Sequence, residues 1–209
     1  MLRLRSVVTM MLLGGAVCAH AAPRETGTAV SIRIHDYSSI DERQLQEAER
    51  QVQDAYARIG VRIEWRPVLR PAEAEGGRAA WPAGLTAVTV VVLTPEMAAR
   101  MHVPAGVAGY APVSREHGGR IAFVLGARTK AIADEGDVEQ SSVLAGVMTH
   151  ELAHLLMPAR AHSADGMMRA RWKPELFGRL DRQRFTAAEA DAIRRSVRAL
   201  GGDSLLVAD

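Results

Sequence analysis

His150, Glu151 and His154 stand in the order H-E-x-x-H. On an α-helix the i, i+4 spacing puts both imidazoles on one face, where they can share a metal ion. Glu151 follows His150 about 100° round the helix, close enough to touch an open coordination position without being a ligand. A third histidine, His162, comes after Pro158. A residue before proline disfavours helical geometry, so the helix is expected to end at Met157 and the chain to swing His162 back toward the ion. Three imidazoles and one open position make the donor set of catalytic zinc, whereas a structural site usually recruits a fourth protein ligand. Such an ion lowers the pKa of bound water toward about 7. Glu151 would then act as general base and hand the proton to the leaving amine of a hydrolysed peptide bond. Glu175 is the rival third ligand, but its Lys173-Pro174-Glu175 setting does not read as a second ligand helix.

The helix that carries the motif is expected to begin near Asp137, with Gln140 completing a capping box and Ser141 as an alternative cap. Val143, Leu144, Val147, Met148, Leu152, Leu155 and Leu156 surround most of its circumference. A helix apolar all round lies inside a core. Two histidines and a glutamate there need partners, and a metal supplies one.

The other elements have to frame this helix. Val30, Ile32 and Ile34 alternate with polar residues as in a half-buried strand. From Asp41 to Ile59 the apolar residues recur at helical spacing and Gly60 supplies a stop. Val61, Ile63 and Trp65 alternate again, giving strand, helix, strand and therefore a parallel pair. Pro67 to Gly84 has no sustained period and reads as a surface loop, pinned by Trp81. Thr86 to Leu93 is continuously apolar and β-branched, as expected of a central strand buried on both faces. Thr94 caps a short helix near Pro95 to Met101. Gly106 to Val113 and Arg120 to Leu125 flank a polar turn as in a hairpin. Residues 128–136 read equally as short helix or loop. Thr186 and Glu189 form a capping box for a C-terminal helix expected to stop at Gly201-Gly202.

Arg3 and Arg5, the apolar run Val7 to Val17 and the small-x-small Ala19-His20-Ala21 read as a secretory signal peptide over residues 1–22. Residues 23–209 then form one domain, exported to the periplasm or secreted. Cleavage removes the only cysteine, Cys18, so the mature fold has no disulfide to rest on. It also leaves 24 basic side chains against 24 acidic ones. That balance gives no reason to expect nucleic acid as a partner, nor a membrane once the signal is gone.

The segment from Thr149 to Met168 resembles the active site of the metzincin clan of zinc metallopeptidases, in which H-E-x-x-H-x-x-G-x-x-H precedes a methionine turn beneath the metal. Ser163-Ala164-Asp165-Gly166-Met167-Met168 is similar to the approach to that turn, with Met168, or else Met167, as its methionine. Met157 stands at the family's glycine, Arg160 where the third histidine is expected, and His162 two residues later. No tyrosine follows Met168 at two positions, so the tyrosine ligand of some subfamilies is missing. The resemblance implies an α+β fold with a small twisted mixed sheet packed on the buried metal helix, an N-terminal-half helix and a C-terminal helix. It implies Zn2+ as cofactor and a peptide or protein substrate. It also implies that the edge strand before the metal helix, either Gly106 to Pro112 through Gly109, Tyr110 and Ala111 or else Ile121 to Leu125, pairs with the substrate backbone. Tyr110 and His117 are read as packing and turn residues more readily than as helpers of the oxyanion. The alternative function is an exported, non-catalytic metal-binding or protein-interaction module on the same fold.

Overall fold

The computed structural model describes residues 29–70, 86–104, 106–112, 120–157 and 162–203. The signal segment, Trp81, the hairpin turn with His117, Pro158 and Arg160 lie outside the described residues.

Strands β1 (Ala29–Asp36), β2 (Arg62–Trp65), β3 (Thr86–Leu93), β4 (Gly109–Tyr110) and β5 (Ile121–Leu125) form one mixed sheet in the order β2-β1-β3-β5-β4. The β1–β2, β1–β3 and β3–β5 pairs are parallel, and β4 closes one edge antiparallel to β5. The alternation read from the sequence becomes a register in which Ile32 stands beside Val88, Ile34 beside Val90, and Val90 beside Ala122. All five side chains are buried. β3 is the central strand, as expected, but Ala87, Thr89 and Val91 on its other face are only half-buried. Its continuous apolar run therefore reflects its central position rather than equal cover on both faces.

Among the described residues six helices complete the mixed α/β fold: α1 (Glu42–Ala57), α2 (Pro95–Arg100), α3 (Gly126–Gly136), α4 (Gln140–Leu156), a 3-10 segment (Pro174–Arg182) and α5 (Ala187–Asp203). Asp41 starts α1 by accepting from the amides of Arg43 and Gln44. Its buried stripe Leu45, Ala48, Val52, Ala55 and Tyr56 packs on α4 and the sheet. Gly60, at φ +71°, turns the chain into β2 where a side chain would be strained. Thr94 caps α2 through the amide of Met97, with Pro95 in the first turn.

The start of one helix, the end of another and the extent of the edge strand differ from the sequence reading, β4 being confined to Gly109–Tyr110 where Gly106 to Val113 was expected. α4 begins at Gln140 and has no capping box: Asp137 sits in the left-handed region as the C-cap of α3. The amide of Ser141 is satisfied instead by Gln44 Oε1 on α1, at 2.7 Å. α5 opens with the expected reciprocal Thr186–Glu189 bonds but runs through Gly201 and Gly202 to Asp203. Glycine in a helix costs only about 1 kcal/mol and does not forbid it. The 3-10 segment was not expected. It places Phe177 and Leu180 on one side, the i, i+3 spacing of a 3-10 turn, and buries both. Gly146 admits it: a Cβ there would stand 2.6 Å from Phe177 Cε1. Among the described residues no helix is long and apolar enough to cross a membrane.

Candidate active site

α4 runs through the core with residues from Ser141 to Leu156 buried on nearly every side, and it carries the motif in its last two turns. Met157 is extended, at φ −110° and ψ 138°, as the following proline requires. The chain then returns so that the Nε2 atoms of His150, His154 and His162 approach one another: 3.1 Å for His150–His154 and 3.2 Å for each pair with His162. Three ring nitrogens this close cannot satisfy one another, because each neutral imidazole has one N–H to give. Ligands at about 2.0–2.1 Å round a tetrahedral zinc stand roughly 3.3 Å apart, so the triad fits that ion. Among the described residues it is the cluster able to hold a metal. Glu175, exposed in the 3-10 segment, is not part of it.

The turn at Gly166, Met167 and Met168 acts on the triad through its backbone. The Met167 carbonyl accepts from Nδ1 of His150 at 3.0 Å, which leaves Nε2 with its lone pair for a metal. The Met168 carbonyl accepts from the amide of Ser163 at 2.9 Å, anchoring the residue next to His162. The turn is itself held by the Arg184 carbonyl, which accepts from the Met167 amide. Gly166, at φ +79°, lies so close to that carbonyl that a Cβ would come within 2.5 Å. Both methionine side chains are fully buried, and Met167 borders a separate cavity with Ala55, Ile59 and Phe185. Burial pushes the His150 pKa down, partly offset by the Met167 carbonyl. The ring is thereby kept in the neutral form that ligates.

The histidines and Glu151 face a cleft of about 820 Å³ whose wall includes Gly109, Tyr110 and Ala111 of the edge strand region. The substrate-side residues expected from the sequence are thus gathered with the triad. Gly109 explains how β4 can lie so close to α4: a Cβ there would stand 2.6 Å from Val147 Cγ1 and 2.9 Å from Glu151 Cγ. The Tyr110 ring stacks on Phe123 at 4.8 Å, a packing role. Residues that sequence reading did not single out also line the cleft, notably Arg128, Ile132, Trp172 and Phe177. Only the i, i+4 pairing of Arg128 with Ile132 on a short helix hinted at a shared face.

Glu151 is 7% exposed, and burial raises its pKa from 4.5 to about 7. A carboxyl whose folded pKa lies above its unfolded one contributes no penalty below pH 4.5. Its cost grows as pH rises from there through about 7, where the buried group is forced to ionise. At 1.36 kcal/mol per unit the metal-free protein should lose about 3 kcal/mol between pH 4.5 and 8 through this group. Urea unfolding of the metal-free wild type and of Glu151→Gln at pH 5 and pH 8 measures it. The variant should gain on the wild type by that amount at pH 8, and parallel pH profiles would refute the assignment.

No protein-family model and no curated protein matches the chain. Solved structures do. Archaemetzincin from Methanopyrus kandleri aligns with a TM-score of 0.53 at 14% identity, covering 84% of this chain and 98% of that one. Metalloproteinase-II from Bacteroides fragilis aligns with a TM-score of 0.49 at 10% identity, covering 81% of this chain and 53% of the other. At this identity the archaemetzincin likeness is one of fold: the mixed five-stranded sheet and six helices match an archaemetzincin-like metallopeptidase fold.

Proposed function

We propose that the chain is an exported zinc metallopeptidase of minimal metzincin type, with residues 1–22 as signal peptide and residues 23–209 as one catalytic domain acting in the periplasm or outside the cell. The observation that carries the reading is the convergence of three Nε2 atoms, 3.1–3.2 Å apart, beside a buried glutamate in an open cleft. His150, His154 and His162 hold the ion, and Met168 is the methionine of the turn. Zinc, when bound there, supplies Lewis acidity that acidifies water and polarises the scissile carbonyl.

The protein's own groups do the rest. The edge at Gly109, Tyr110 and Ala111 offers backbone groups to an extended peptide, so that the scissile bond lies along the cleft. Glu151, whose carboxyl titrates near 7, takes a proton from the attacking water as the C–O bond forms. It returns that proton to the amine as the C–N bond breaks, leaving a carboxylic acid and an amine without a covalent intermediate on the protein. Desolvation by burial keeps Glu151 basic enough for both transfers.

The mature chain should bind about one zinc and hydrolyse members of a mixed peptide library, with activity lost on chelation and restored by zinc. A zinc-loaded protein inert toward the whole library would overturn the peptidase reading in favour of a metal-binding or interaction module.

A further inference from the structure

One stripe of α3 forms a wall of the cleft: Arg128, Ile132 and Glu135, at i, i+4 and i+7, all border it. Arg128 is placed at some cost. It stands in the first turn of α3, where the helix macrodipole opposes a cation, and that turn contains no acidic residue and no side-chain cap. Its Nε is buried with no hydrogen-bond partner among the described residues, and it joins no ion pair there. Glu135 does not answer it, being exposed and about 10 Å further along the helix axis. Arg128 as a whole is half-buried, and the buried part of its guanidinium is a donor without an acceptor, which costs stability.

The cleft also carries two further cations beside the acidic Glu135 and Glu151. Arg169 and Arg171 line it too. Arg169 is engaged by Asp165 at 3.5 Å and by the Gly166 carbonyl at 3.3 Å, and lies over the Trp172 ring. Arg171 is exposed, where water serves its donors, so Arg128 is the guanidinium of the three with a buried donor left over, and its planar fork matches a carboxylate.

We propose that Arg128 binds a carboxylate of the substrate, making it a specificity-determining residue for acidic peptides or for peptides with a free C-terminus in this part of the cleft. The proposal rests on the peptidase reading, but its test does not require turnover. Labelled peptides are titrated by fluorescence anisotropy into zinc-loaded Glu151→Gln protein. One arm compares Glu with Gln at each position of C-terminally amidated peptides. The other compares free with amidated C-termini of an otherwise neutral peptide. One arm should show about tenfold or tighter binding of the carboxylate form. Arg128→Gln in the same background should abolish the preference, and Arg128→Lys, which keeps the charge but not the fork, should retain part of it. Circular dichroism and zinc content check that both variants fold. No preference in either arm, or a preference that survives Arg128→Gln, overturns the proposal. Carboxylate-selective binding by a wild type that hydrolyses nothing supports it while overturning the peptidase reading.

Discussion

Glu151→Ala should keep about one zinc per chain and lose roughly a thousandfold in kcat on any peptide the wild type cleaves. The two halves of this result come from different atoms. The three ring nitrogens that converge belong to His150, His154 and His162, and the His150 ring is oriented by the Met167 carbonyl, so truncating Glu151 removes no ligand and no orienting bond. The stem of the Glu151 side chain is crowded. Val147 precedes it by one turn on α4, and Gly109 leaves no room for so much as a methyl group between β4 and the Glu151 stem. A base fixed this way acts at one position in the cleft, and water cannot take over its role from the same place. Equal turnover by wild type and variant would sink the mechanism. Loss of zinc together with activity would instead make Glu151 a part of the metal site.

Legibility in the sequence followed the range of the physics involved. α4 was readable because its apolar residues cover all its faces, and its end because proline restricts the residue before it; both are local effects. The parallel β1–α1–β2 unit and the central place of β3 were readable from periodicity and composition for the same reason. The start of α4 was not, since its cap is Gln44, nearly a hundred residues earlier, and no local pattern encodes a tertiary cap. The edge strand shrinks to Gly109–Tyr110, too short to be bounded by alternation. The 3-10 segment escaped because its apolar period is three, and its place was marked only by Gly146 on another element. Within the site, residue types announced the three histidines that converge. The group that orients the His150 ring is the Met167 backbone carbonyl, which has no signature of its own.

The sharpest of those readings concerns His162, where the spacing departs from the metzincin pattern by two residues. His162→Ala should weaken zinc binding by about a hundredfold or more, because His150 and His154 alone leave two of four tetrahedral positions to solvent. The same change should leave the metal-free fold within about 0.5 kcal/mol of the wild type, since His162 is exposed and the turn behind it is tied by Ser163 to Met168 through backbone atoms. His150→Ala differs in kind: it also removes the bond to the Met167 carbonyl, and so should lower metal-free stability as well. Competition with a chelator gives the zinc affinities, and urea unfolding of the metal-free proteins gives the stabilities. Glu175→Gln serves as the discriminating control, because Glu175 is exposed on the 3-10 segment and apart from the three nitrogens. Zinc lost in Glu175→Gln but kept in His162→Ala would reverse the assignment of the third ligand. The opposite pattern would mean that the longer link after Pro158 delivers a histidine to the position the shorter family spacing reaches by another path.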